Sequence, residues 1–264
     1  MSKSLGLALG SGGARGVAHI GVLAALEEEG IIPDYIAGCS MGAVVGGCYA
    51  AGMSLDKIRD IALKLKPRNI LDIGPSFFSR MSILRTNKVK NLLTYYLGDI
   101  KLENMQIPFK CVATDLYSGE LYVFEKGSAA AAVQASSTIP GVFAPVKKQG
   151  MFLVDGGCLC RVPVKVVKEM GAEVVVGVDV LANTSEPVEE ITNIVSLLLR
   201  VFDLMDAQQT ELRNRLDNAL CDLYLRPEMK GMSQYQIKDL EKAYKEGYKL
   251  GKANVQKIKE LTQD

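Results

Sequence analysis

The chain has 264 residues, of which 48% are hydrophobic and 23% charged, so it can bury the core of one large domain and is unlike a disordered protein. Lysine and arginine together number 31 against 30 aspartates and glutamates, so the charge gives no reason to expect a nucleic-acid partner. The six cysteines form no CxxC pair and His19 is the one histidine, which argues against a zinc site and indicates reduced core cysteines.

The first residues, MSKSLGLALGSGG, contain a short apolar run that breaks into glycines. A secretion signal has a longer apolar region followed by a cleavage site. No apolar run in the chain approaches the roughly 18 residues that span a bilayer. We therefore expect a cytoplasmic protein, whose contact with the membrane, if it makes one, is peripheral and at the inner face.

Strand-like apolar runs alternate with helical patterns along the chain. In chain order they predict a strand at 5–10, a helix at 14–30, a strand at 35–38, a helix from Met41, paired strands at 109–116 and 121–124, and further strands at 151–154, 172–181 and 219–225. This alternation is typical of an α/β fold in which helices cover both faces of a sheet.

The last third of the chain has mostly helical patterns. A helix is predicted over 189–216, where these apolar residues recur at helical spacing: Ile191, Ile194, Val195, Leu198, Phe202 and Met205. Another helix is predicted from Ser233, where Gln236 completes a capping box. No repeat or linker interrupts the chain, so we expect one domain over 1–264 whose residues 189–264 are largely helical.

The sequence GCSMG places Ser40 between Gly38 and Gly42, after a predicted strand and before a predicted helix. A nucleophile elbow needs this order, because its reactive residue is strained and larger neighbours would clash. The start of the helix also favours negative charge near Ser40. The alternative is a small-residue turn, since GxSxG fixes only three positions in a chain that has 25 glycines.

A second glycine-rich loop, GSGGARG at residues 10–16, also lies between a predicted strand and a predicted helix. It does not fit the dinucleotide pattern GxGxxG, because each register puts Ser11 or Arg15 where a glycine is needed. It lacks the lysine of a phosphate-binding P-loop. The loop is therefore predicted to stabilise an anion, as an acyl-transfer site needs for its oxyanion.

The base that would activate Ser40 is predicted to be a carboxylate. His19 lies one turn deeper in the helix after the glycine loop, where a hydrogen-bonded packing role is favoured. Asp155 ends the strand MFLVD and precedes two glycines, although an Asp-Gly hairpin turn is the alternative interpretation. Asp115 and Asp179 compete with it, because both also lie at or near strand ends.

Together, GSGGARG, GCSMG and DGG resemble the patatin-like phospholipases, particularly small bacterial members related to the catalytic domain of neuropathy target esterase. The resemblance extends over about residues 5–180 and includes ASSTIPGVFAPV at 135–146. It implies a three-layer α/β/α sandwich around a mainly parallel sheet, without cofactor or metal. It also implies that Ser40 is the nucleophile and Asp155 its partner, with an oxyanion hole at Gly12, Gly13 and Arg15. Ser11 stands where many members have a glycine, so the sequence leaves open which amides of the loop point inward.

The activity that the resemblance implies is hydrolysis of lipid carboxylic esters, of lysophospholipase or phospholipase A type, through a Ser-Asp dyad and an acyl-enzyme. An acyltransferase and a non-catalytic regulatory protein on the same scaffold are the alternatives. Residues 75–98 combine apolar and basic side chains, which fits either a flap that contacts lipid or a connecting helix. The sequence leaves the oligomeric state open.

Overall fold

A computed structural model of the chain describes residues 2–66, 87–181, 191–216 and 219–263. Its strands are β1 (Leu5–Leu9), β2 (Tyr35–Cys39), β3 (Phe109–Asp115), β4 (Leu121–Phe124), β5 (Val146–Lys148), β6 (Met151–Asp155), β7 (Val174–Val178) and β8 (Leu223–Leu225). Its helices are α1 (Ala18–Glu27), α2 (Met41–Ala50), α3 (Leu55–Lys64), α4 (Asn87–Leu97), α5 (Ala129–Ser136), α6 (Val164–Glu169), α7 (Ile194–Leu216) and α8 (Leu240–Thr262). A short 3₁₀ helix, Gly13–Val17, leads into α1.

The described residues form an eight-stranded mixed sheet whose hydrogen-bonded neighbours follow the path β5-β6-β3-β2-β1-β7-β8, and β4 pairs with β3 off this path. The five strands from β3 to β8 in this order are parallel, whereas β4 and β6 are antiparallel to β3 and β5 is antiparallel to β6. The mainly parallel sheet and the pairing of 109–116 with 121–124 are thus confirmed. The parallel strands are buried on both faces, which explains why they are continuous apolar runs rather than alternating ones.

Helices pack on both faces of the sheet, as a three-layer sandwich requires. Successive strand residues point to opposite faces, so Leu7 and Leu9 join one apolar cluster whereas Ala8 joins the other. The first cluster contains side chains from α1, α2, α5 and α8. The second contains Val164, Val166 and Val167 of α6. The predicted three-layer architecture and helical C-terminal region are confirmed.

Helix α8 packs closely against α1 through glycines. A side chain at Gly247 would lie 2.0 Å from the carbonyl oxygen of Ala18, and one at Gly21 would lie 2.1 Å from that of Tyr244. The two backbones therefore approach more closely than larger residues would allow. Because α1 begins directly after the glycine loop, this contact fixes the C-terminal helix to the element that carries the loop.

The predicted start of the last helix is wrong. Helix α8 begins at Leu240 rather than at Ser233, and the Ser233 hydroxyl accepts a hydrogen bond from the amide of Tyr235. Two carbonyls of the segment before α8 accept hydrogen bonds from the glycine loop: that of Met232 accepts from the Arg15 side chain, and that of Gln234 accepts from the amide of Ala14. These long-range contacts hold the chain outside the helical conformation that the capping pattern favours.

Two further expectations lie partly outside the described residues. The helix predicted over 189–216 begins at Ile194, and residues 189 and 190 are not described. Of the segment 75–98, residues 75–86 are not described, and in α4 both Leu93 and Leu97 are buried, as in a connecting helix. None of the helices in the described ranges is long and apolar enough to cross a membrane.

Candidate active site

Ser40 lies in a sharp turn between β2 and α2. Its φ of 51° and ψ of −118° are unusual for a residue with a side chain, and such strain is common at functional sites. Two hydrogen bonds hold the turn: the Ser40 amide donates to the hydroxyl of Ser136 over 3.0 Å, and its carbonyl accepts from Val44 in the first turn of α2. Ser40 is therefore placed at the positive end of the α2 dipole.

The glycines beside Ser40 are required by close backbone contacts. A side chain at Gly42 would lie 2.1 Å from the carbonyl oxygen of Leu9, and one at Gly38 would lie 2.5 Å from the Cα of Ala43. The first contact brings the start of α2 against the end of β1, from which the glycine loop extends. The GxSxG pattern therefore reflects a packed strand-turn-helix junction.

Ser40 and Asp155 meet because β2 and β6 share one edge of β3. Cys39 at the end of β2 pairs with Val112, and Asp155 at the end of β6 pairs with the next residue, Ala113. Strand β4 occupies the opposite edge of β3 at both positions. The two antiparallel chain ends thus converge, and the Ser40 hydroxyl donates a hydrogen bond of 2.6 Å to Oδ2 of Asp155.

The Asp155 carboxyl group is buried but hydrogen-bonded. Its Oδ1 accepts from the amide of Gly157 over 2.8 Å, and the thiol of Cys39 lies 3.8 Å from the same oxygen. Its own amide donates to the carbonyl of Thr138. Burial raises the pKa of Asp155 from 3.8 to about 6, although the bonds from Ser40 and Gly157 oppose this rise. A carboxylate with this pKa is a better proton acceptor than an exposed aspartate.

The glycine loop, residues 10–16, lies beside Ser40. A side chain at Gly16 would lie 2.3 Å from the Cγ of Met41, the residue that follows Ser40. Four loop amides donate to backbone carbonyls, those of Gly10, Ser11, Ala14 and Arg15. Within the described part of the chain, the amides of Gly12 and Gly13 have no such acceptor. Of the loop amides, these two are the candidate donors to an anion, and their direction toward the site stays a prediction.

Arg15 serves the loop through contacts within the protein. Its amide donates to the carbonyl of Gly12, and its Nε donates to the carbonyl of Met232 over 2.7 Å. Gly13 has a φ of +50° and no room for a side chain, since an added Cβ would lie 2.3 Å from the carbonyl oxygen of Gln234. Residues 232–234 thus hold the loop in place from outside.

The other candidate bases are bonded to groups other than Ser40. His19 is fully buried, and its Nε2 donates to the carbonyl of Gly10, which confirms the predicted packing histidine. Burial lowers the pKa of His19 to about 4. Asp115 accepts from the amide of Phe152, which holds its pKa below the ordinary value. Asp179 pairs with Arg161.

The sequence reasoning missed a buried ion cluster next to the site. Arg161 contacts Asp206 of α7 over 2.9 Å and Asp179 over 3.2 Å, and all three side chains are buried. Burial raises the pKa of Asp206 to about 6 despite its arginine partner. The carbonyl of Arg161 also accepts from the amide of Ser11. Arg161 follows the DGG motif by only four residues, but its two partners come from separate elements that no local pattern connects.

Comparison with known proteins places these features in a family. A family model described as "Patatin-like phospholipase" matches residues 7–168. An uncharacterized NTE family protein of Mycobacterium bovis is 41% identical over 189 residues, which cover 72% of this chain and 52% of that protein. Lysophospholipase nte1 of Emericella nidulans is 28% identical over an alignment of 283 residues, which covers 97% of this chain and 18% of that protein.

Solved structures resemble the fold at low sequence identity. VipD from Legionella pneumophila has a TM-score of 0.61 at 15% identity, over 99% of this chain and 67% of that one. The type III effector protein ExoU has a TM-score of 0.51 at 14% identity, over 97% and 54% of the two chains. The chain spans about half the length of the mycobacterial relative and less than a fifth of the fungal one. Because the family model matches more than half of its residues, the chain belongs to the patatin-like phospholipase family.

Proposed function

We propose that the protein is a serine acyl hydrolase that cleaves carboxylic esters of lipids through a dyad of Ser40 and Asp155. The observation that supports this most strongly is the 2.6 Å hydrogen bond from the Ser40 hydroxyl to a buried carboxylate. A nucleophile in contact with a base is what covalent catalysis requires. The strained elbow keeps the hydroxyl in place without movement of the backbone.

In the first step, Oδ2 of Asp155 accepts the Ser40 proton while the Ser40 oxygen bonds to the ester carbonyl carbon. The carbonyl oxygen becomes an oxyanion, which the amides of Gly12 and Gly13 stabilise together with the α2 dipole. The bond to the alcohol then breaks, and the departing oxygen takes the proton from Asp155. An acyl group is left on Ser40.

In the second step, water replaces the alcohol. Asp155 takes a proton from the water while the water oxygen attacks the carbonyl carbon of the acyl-enzyme, and the same two amides bind the new oxyanion. Ser40 then recovers its proton from Asp155 and the fatty acid leaves. Arg15 is a positioning residue in this scheme, because its amide and its Nε bond within the protein and hold the loop.

We infer that lysophospholipids are the first substrates to test. The supporting observation is that curated relatives such as that of Debaryomyces hansenii, 33% identical over 68% of this chain, are named lysophospholipase. We treat residues 1–264 as one acyl hydrolase domain, since α8 packs on α1 and α7 is bonded to Arg161. The proposal keeps the expected cytoplasmic location, with peripheral contact at the inner face of the membrane.

The test is fatty-acid release from lysophosphatidylcholine, alongside hydrolysis of p-nitrophenyl esters of increasing chain length. The wild-type protein should release acid from both, and Ser40→Ala, a small-for-small replacement, should fold and release none. Adding a long-chain alcohol separates the acyltransferase alternative, because a transferase would form the new ester in place of free acid. No turnover on any ester by folded wild-type protein would contradict the hydrolase.

A further inference from the structure

Helix α7 is turned so that three of its polar residues, Asp203, Asp206 and Thr210, face the protein. Asp206 and Thr210 are buried, and Asp206 pairs with Arg161. Asp203 accepts hydrogen bonds from the side chains of Gln234 and Tyr235, at 2.9 and 2.6 Å. A surface helix normally buries its apolar stripe and exposes its polar one, so α7 has the reverse orientation.

The opposite side of α7 exposes an apolar stripe. Its members recur at intervals of three and four residues and are between 44% and 65% exposed: Ile194, Leu197, Leu198, Val201, Leu204 and Met205. Every described side chain that is exposed in residues 194–205 belongs to this stripe. We call these six residues the α7 stripe. Contiguous apolar patches on the surface of a monomer often have a function.

The orientation of α7 is determined by its buried bonds. Rotating the stripe inward would expose the Arg161–Asp206 pair and break the bonds of Asp203. Arg161 would then lose one of its two buried partners, so the inward orientation is disfavoured. The stripe is therefore a built feature of the surface, which an external apolar phase can cover.

Helix α7, which carries the stripe, is bonded to the segment that holds the glycine loop. Gln234 bonds to Asp203 through its side chain and to the amide of Ala14 through its carbonyl. Tyr235, itself 44% exposed, bonds to the same aspartate. Tyrosine is common where an apolar phase meets water, because its ring is apolar and its hydroxyl is polar. Gln234 thus connects the helix that carries the stripe to the glycine loop.

We propose that the α7 stripe docks on the surface of an uncharged, zwitterionic lipid bilayer. The choice of lipid over a protein rests on the proposed function, since a lipid hydrolase must reach esters within an aggregate. A second copy of the chain fits less well, because a stable interface takes about 800 Å² and 20–30 residues from each partner, whereas the α7 stripe has six residues. Anionic lipid fits less well too, because the exposed side chains in the described part of the stripe's three turns are all apolar and Arg200 there is half-buried.

The test measures binding without turnover. Full-length Ser40→Ala protein is mixed with phosphatidylcholine vesicles and separated by flotation, so that the lipid is not consumed. Binding should change less than about twofold between low and high salt, because screening acts on charges and not on apolar contacts. It should not depend on added phosphatidylglycerol. Because no hydrolysis is measured, failure here is distinct from failure of the proposed catalytic site.

The decisive variants add charge to the stripe or elsewhere. Leu198→Glu with Val201→Glu should weaken vesicle binding by about tenfold or more, because buried aliphatic groups become charged. The matched control, Ile32→Glu with Leu63→Glu, also adds two charges at exposed aliphatic positions, away from α7, and should bind like the parent. Circular dichroism and thermal melting check folding, and Leu198→Gln is a milder variant that should weaken binding in the same direction.

Four results would overturn the proposal. One is absence of vesicle binding by folded protein, and another is equal loss in the stripe and control variants. The third is a dimer in gel filtration that the stripe substitutions convert to a monomer, since the stripe would then contact a second copy. Binding that requires anionic lipid and disappears in high salt would likewise contradict the uncharged contact.

Discussion

Replacing Asp155 by asparagine should slow turnover strongly and stabilise the fold at neutral pH. Asparagine keeps the shape and can still accept from the Gly157 amide, while its NH2 group can donate to the Ser40 oxygen. It cannot take the proton of Ser40. General-base catalysis supplies roughly 100- to 10,000-fold, so turnover should fall by about this factor.

The gain in stability follows from the burial of the carboxylate. The pKa of Asp155 is raised in the folded protein from 3.8 to about 6, so the folded state holds this proton more tightly than the unfolded state does. The wild-type protein therefore loses stability as pH rises through this interval. At about 1.4 kcal/mol per pKa unit, the full loss above pH 6 is ~3 kcal/mol. Asparagine has no charge to bury, so the variant does not lose this stability as pH rises.

The assay is urea unfolding of both proteins between pH 4.5 and 8. The free energy of unfolding of Asp155→Asn should exceed that of the wild type at pH 8 by up to ~3 kcal/mol, and the difference should shrink toward pH 4.5. Ser40→Ala, which keeps the carboxylate, serves as the control and should show no comparable gain. An asparagine variant that is less stable than the wild type at pH 8 would refute the reasoning.

Two further substitutions test the surroundings of the dyad. Gly13→Ala should lower turnover by about 100-fold, since a side chain clashes with the Gln234 carbonyl and misaims an amide that we propose binds the oxyanion. Ester kinetics on a variant with wild-type circular dichroism check this, and unchanged turnover would assign the glycine to packing alone. His19→Asn should keep turnover within about tenfold, because the imidazole bonds to Gly10 rather than to Ser40. The pKa of His19 is lowered to about 4 by burial, so its contribution to stability decreases as pH falls from about 6.5, and this contribution should be absent from His19→Asn when unfolding curves at pH 5 and 7 are compared with those of the wild type.

The two residues of the proposed dyad could be identified from local patterns, but their contact could not. Ser40 and Asp155 each follow an apolar strand and have adjacent or nearby glycines that free space around them. Their meeting depends on β2 and β6 sharing one edge of β3, with Cys39 and Asp155 beside successive residues. Strand order is set by contacts far apart in the sequence, so the motifs alone left Asp115 and Asp179 as competitors.

Helical patterns predicted elements better than orientations or ends. The spacing of apolar residues correctly indicated a helix at α7, yet periodicity does not say which side faces the protein, and the buried pair of Arg161 and Asp206 decides it. Ser233 and Gln236 satisfied a local capping rule. Hydrogen bonds from Ala14 and Arg15 to the segment before α8 override that rule, and both donors come from the other end of the chain.

The dyad is tested most directly by the rate at which a fluorophosphonate ester modifies Ser40 as a function of pH, with the modified peptide identified by mass spectrometry. We predict modification of Ser40 in the wild type, none in Ser40→Ala, and a fall in rate below about pH 6 as Asp155 becomes protonated. The same acidic limb should persist in His19→Asn. Modification of a different residue, or an acidic limb that disappears with His19, would contradict the assignment of Ser40 and Asp155.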